Sequence, residues 1–128
     1  MNRTLQAAVA ALIFAVGFIG PATRAEPFLN LRRSPADIAF LKHDWATAQR
    51  LMRPLAEQGD ALAQFALGAM YDNGLGVPQD YVIAHMWFNL AAAGGEIGAP
   101  KARAGVAEKM TPAQIAEAQE LAREWKPK

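Results

Sequence analysis

The feature that most restricts what this chain can fold into is a helix cap, an aromatic residue and a terminating glycine that recur 36 positions apart. Asp44 pairs with Asp80, Trp45 with Tyr81, Ala48 with Ala84, Ala56 with Ala92, Gly59 with Gly95 and Ala63 with Ala99. Half of these pairs are alanines in an alanine-rich chain, so identity alone carries little. The order of cap, aromatic and glycine is what two copies of one helical hairpin require, and periods in the mid-thirties belong to helix-turn-helix solenoids.

Six helices are expected from Ser34 onward, each bounded by residues with a mechanism. Ser34-Pro35-Ala36-Asp37 supplies a hydroxyl cap, a proline where its missing N–H is no loss, and an acid in the positive first turn; this helix runs to about Lys42. Asp44 caps a second from Trp45 to about Gln58, with Pro54 expected to kink it or to deprive the Arg50 carbonyl of its hydrogen bond. Asp60 caps a third to about Asp72, and Asn73-Gly74-Leu75-Gly76-Val77-Pro78 reads as a loop. Asp80 caps a fourth to Ala93. A fifth spans Ala99 to about Lys109, and the capping box Thr111-Pro112-Ala113-Gln114 opens a sixth to Trp125. Ile115, Ala118, Ala122 and Trp125 mark its inward stripe, with Glu117, Glu120, Arg123 and Glu124 outward.

The run from Gly59 to Tyr81, GDALAQFALGAMYDNGLGVPQDY, followed by Ala84, Trp87 and Ala91-Ala92, resembles a nearly complete Sel-one-like repeat. These repeats are similar to tetratricopeptide repeats with a longer glycine-containing loop. The resemblance covers residues 60 to 95 well, with 35 to 58 as a degenerate opening unit and 96 to 125 as a closing one. It implies an all-α, short right-handed solenoid of about three antiparallel hairpins that binds proteins or peptides and shares no catalytic residues. It also implies structural roles for Asp60, Ala63, Leu67, Gly68, Tyr71, Gly74, Gly76, Asp80, Ala84 and Trp87. The residues agree: Ala63, Leu67 and Tyr71 share one face of the third helix, and Ala84, Trp87 and Ala91 one face of the fourth.

Preceding the helices, Met1-Asn2-Arg3, an apolar stretch from Ala7 to Gly20, and small residues up to Ala25 have the layout of a secretory signal peptide, cleaved after Ala25. Residues 1–25 are thus read as signal, 26–33 as linker and 34–128 as the helical repeat domain. The apolar stretch is too short for a spanning helix, so no stable membrane span is expected after cleavage and the chain is expected in the periplasm or outside the cell. Of 13 Lys and Arg against 12 Asp and Glu, Arg3 and Arg24 belong to the leader, leaving a nearly neutral chain without the basic stripe that nucleic acid demands. The absence of cysteine removes thiol catalysis, Cys-ligated zinc and iron–sulfur clusters.

Little else points to chemistry. His43 and His85 lack a second ligand at helical spacing, so no metal and no cofactor is expected; His43 is read as neutralising the end of the first helix and His85 as a partly exposed helix residue. Asp72-Asn73-Gly74 lacks the alternate carboxylates of a calcium loop, and Gly74-Leu75-Gly76 the strand and lysine of a phosphate cradle. Trp45, Phe65, Tyr71, Tyr81, Trp87, Phe88 and Trp125 sit at helical spacing and read mostly as core. The candidate partner face is Leu62, Ala66, Ala69 and Asn73, a smooth stripe where an isolated hairpin should carry charge; the competing expectation is that the first hairpin covers it. The functional expectation is an exported, non-enzymatic protein–protein interaction module. Its alternatives are a small regulatory subunit of an envelope enzyme, a wall-glycan binder or hydrolase using Glu57, Asp60 or an exposed Phe65, and a self-associating unit.

Overall fold

A computed structural model describes residues 34–128; the signal and linker readings for residues 1–33 lie outside the described residues. The described residues form six helices and no strand: α1 Pro35–Leu41, α2 Trp45–Glu57, α3 Ala61–Asn73, α4 Tyr81–Ala93, α5 Ala99–Ala107 and α6 Pro112–Glu124. The fold is all-α, and no helix among them is long and apolar enough to cross a membrane.

The starts follow local chemistry. Ser34 and Thr111 form capping boxes with Asp37 and Gln114, and Asp44, Asp60 and Asp80 each accept from the backbone N–H three residues on. Hydrogen bonds from Thr47 hold the Asp44 carboxyl below the usual carboxylate range, as expected of a charge satisfied at a helix start.

The ends share one device. After α2 the N–H of Asp60 bonds Leu55 O and that of Gly59 bonds Ala56 O; after α4 the N–H groups of Glu96 and Gly95 reach Ala91 O and Ala92 O in the same way. This is a Schellman termination, with the chain turned left-handed at Gly59 (φ 104°) and Gly95 (φ 93°). The same bonds close α1, from Asp44 to Ala39 O and from His43 to Phe40 O, but there the left-handed residue is His43 (φ 59°). His43 therefore serves α1 through its backbone. Its ring, expected to face the helix end, lies flat on Trp45 with centroids 5.0 Å apart.

Consecutive helices α1 to α4 pack each on the next, and α4 also receives α5 and α6. The six helices make a short helical solenoid whose last helix packs on α4 more than on its neighbour α5. The reason is in the sequences. Helix α4, YVIAHMWFNLAAA, has no acidic residue, lysine or arginine and is apolar nearly all round, so one neighbour cannot cover it; α5 is short and buries only Ala99 and Val106. Pro54 is accommodated inside α2, where Pro54 and Arg50 are both exposed and water can serve the carbonyl that proline leaves unpaired.

Helix α3 is the centre of the core, with nine of its 13 residues buried. Gly68 is there for contact: a β-carbon on it would stand 2.6 Å from the ring of buried Phe88 on α4. Gly76 is constrained twice over, since its φ is 68° and a β-carbon would lie 2.6 Å from the carbonyl oxygen of Trp45. The α3–α4 loop thus lies against the start of α2. Polar ties also cross the stack: buried Gln64 donates to Ala56 O at 3.1 Å, and fully buried Asp72 accepts from Lys109 Nζ at 2.9 Å. Beyond α6, the Lys128 N–H bonds Glu57 O at 2.8 Å and Trp125 lies beside the Gly59 turn.

Candidate binding cleft

The expected partner stripe on α3 is not a surface. Ala66 and Ala69 are fully buried, and Asn73, half-buried, turns its amide back to Ala69 O at 2.8 Å. Only Leu62 faces a space that something else could enter. With no residue of strong charge before Asp72, α3 is apolar on every side and its smooth stripe is covered by the fold itself.

That space is a cleft of about 520 Å³ at one end of the stack. The same 36-residue spacing that repeats the hairpin sets the α2–α3 and α4–α5 turns at its edge, and Ser34 and Asp37 of α1 complete the rim. Met52, Leu55 and Leu62 give it an apolar side. Among the described residues its charged lining is Asp37, Asp60 and Glu96, all acidic. Asp37 accepts from Ser34 in the capping box of α1 and Asp60 caps α3, so both carboxylates are fixed by helix starts. Glu96 follows the terminating glycine Gly95. Next to it, Ile97 is 93% exposed, the most exposed large apolar side chain among the described residues.

Sequence reasoning found Leu62 and missed the rest of the cleft. Its signal was present in the repeat itself, because Gly59-Asp60 and Gly95-Glu96 occupy equivalent positions in successive units.

The remaining polar residues are structural. Burial of His85 corrects the expectation of a partly exposed side chain: it is 3% exposed because α4 is enclosed by α3, α5 and α6, and its Nδ1 is buried without a hydrogen-bond partner. Burial holds its pKa below the ordinary value, and the positive charge of Arg103 acts in the same direction. Arg103 itself donates to Asn89 at 2.5 Å. Phe65 is buried against Phe88, centroids 5.7 Å apart, and is not the exposed stacking platform that a glycan binder would need. Glu57 pairs with Arg53 and Lys128 rather than with a second carboxylate. Among the described residues no group of three or more His, Asp or Glu is placed to hold a metal ion.

Asp60 and Asp80 cap, Gly68 admits Phe88, Gly74 turns left-handed after α3, and Ala63, Leu67, Ala84 and Trp87 are buried in one core. Tyr71 accepts from the Arg53 guanidinium on α2. The Sel1 repeat family model matches residues 61–96, from the first residue of α3 to the turn beyond α4. Residues 61–96 are thus similar to a Sel1 repeat. No curated protein and no solved structure matches the chain. The Sel1 repeat is a helical scaffold typical of protein–protein interaction, and here Asp60 and Asp80 cap helices while Asp72 pairs with Lys109.

Proposed function

We propose that this chain is an exported interaction module of the cell envelope that receives a segment of a protein partner in the cleft beside Leu62. The carrying observation is the cleft itself: an apolar side and an acidic rim built from the turns of the repeat, at a volume within the range of about 300–1,000 Å³ typical of ligand pockets. The signal-like layout of residues 1–25 supports export.

The test is affinity capture from an envelope extract, comparing the chain with a Leu62→Glu variant whose helicity is checked by circular dichroism. A discrete protein held by the parent and lost by the variant supports the reading. Equal capture by both moves the contact away from the cleft, and capture by neither sinks the module. Exposed Ile97 favours one second reading, self-association through the α4–α5 turn. Sedimentation would show a dimer that Ile97→Asp dissociates.

A further inference from the structure

We propose that His85 is an acid-sensitive latch for α5: while its imidazole is neutral the helix stays on α4, and protonation releases it locally with the rest of the stack still packed. The latch goes beyond the partner cleft and stands whatever the cleft binds.

The first observation that carries it is a row of groups between the two helices. Tyr81, His85 and Asn89 follow one another at four-residue spacing on one face of α4. Helix α5 and the turn after it meet that face with a cation on either side of His85. Arg103 Nη1 donates to Asn89 Oδ1 at 2.5 Å, and Lys109 Nζ lies 5.0 Å from the centre of the Tyr81 ring. The carboxylate tied into this row is Asp72 of α3, and it already pairs with Lys109 at 2.9 Å. Tyr71, the other titratable residue of α3, accepts from Arg53 of α2. Lys101 and Glu108 near α5 are exposed, as are Glu117, Glu120, Arg123 and Glu124 of α6.

His85 sits in the middle of the row, 3% exposed, with Nδ1 buried and unpartnered. A neutral imidazole can carry its proton on Nε2 and leave Nδ1 as an idle acceptor, whereas an imidazolium has an N–H at both positions. Protonation in the closed state would therefore bury an unpaired donor and set a third positive charge beside two. Burial first and the charge of Arg103 second hold the neutral form.

The second observation is how lightly α5 is held. It has nine residues, its N-cap Gly98 makes no side-chain hydrogen bond, and it buries only Ala99 and Val106. Helix α6 rests chiefly on α4, so α5 can lift without carrying α6 away. Elements with so few buried contacts open at free energies below that of the whole molecule. Once open, His85 meets water and regains its ordinary affinity for protons, so the opening equilibrium grows as pH falls through about 6.5. The turn before α5 supplies Gly94, Gly95 and Glu96 to the cleft, and release of α5 frees that edge.

The test is amide hydrogen exchange of the full chain, followed by NMR at about pH 7.5 and about pH 5.5 and corrected for the intrinsic pH dependence of exchange. Amides of α5 are compared with those of α3, which report opening of the whole stack. The expected result is an opening free energy for α5 below that for α3 at both pH values. The α5 opening equilibrium should be several-fold larger at the lower pH, with an upper limit on the order of 10-fold. In His85→Leu the acid effect at α5 should vanish, and His85→Gln, neutral and polar, repeats the comparison in case leucine disturbs the fold. The other histidine, His43, belongs to the α1–α2 turn, so its titration does not enter the local opening of α5. Three results would each overturn the proposal: α5 amides that exchange only together with α3, an α5 opening equal at both pH values, or an acid effect that survives the substitutions of His85.

Discussion

At the residue scale, Gly68 and His85 show two kinds of constraint in the same core. Replacing Gly68 by alanine gains about 1 kcal/mol of intrinsic helix propensity. It also drives a methyl into the ring of Phe88, which is itself fully buried and has nowhere to move, at a cost of about 1–3 kcal/mol. Gly68→Ala is thus expected to lower the urea midpoint despite better propensity. His85 predicts a pH effect. Its folded-state pKa lies below the ordinary 6.5, so the unfolded chain takes up the proton first as pH falls. Stability from this group is complete above about 6.5 and declines as pH drops from there toward the folded value. Unfolding free energies measured near neutrality and about two pH units lower should differ less in His85→Leu than in the parent. Gly68 was legible beforehand, since a glycine beside Leu67 in an apolar helix has little other use. His85 was not, because its burial depends on three helices closing around α4, and no residue near it in sequence announces that.

At the element scale, the helix ends are nearly independent of the rest of the molecule. Caps and Schellman bonds join residues within five positions of one another, which is why Ser34, Asp44, Asp60, Asp80 and Thr111 could be assigned from sequence alone. Gly95 isolates the conformational part of this. A β-carbon there would meet no atom within 4 Å, so Gly95→Ala carries only the left-handed penalty, about 1–2 kcal/mol, and should show it in thermal unfolding. Which helices pair is another matter. Helix α6 follows α5 in the chain, yet the apolar area left open on α4 offers it a larger surface than the short α5 does. Pairing is decided by how much apolar surface each candidate neighbour still has uncovered, a quantity that belongs to the assembled stack.

On the scale of the whole molecule, the same reasoning explains why the cleft was half seen. Leu62 was visible as an apolar residue without an obvious partner, whereas the acidic rim comes from α1, the α2–α3 turn and the α4–α5 turn, brought together only when the stack forms. A second long-range tie, from Trp125 and Lys128 to the end of α2, joins residues about 70 positions apart. Trp125 is half-buried, so Trp125→Ala should cost about 1–2 kcal/mol, less than the roughly 3–5 of a fully buried aromatic, and should speed amide exchange at the Gly59 turn. The packing of α6 on α4 also sets an order of events. Contacts between successive helices close short loops and form quickly, as in other helical proteins that fold in microseconds to milliseconds. Helix α6 can seat only once α4 is in place, and the bond from Lys128 to Glu57 closes a far longer loop still. The seating of Trp125 and Lys128 on the end of α2 is therefore expected to follow the α3–α4 pairing at the centre.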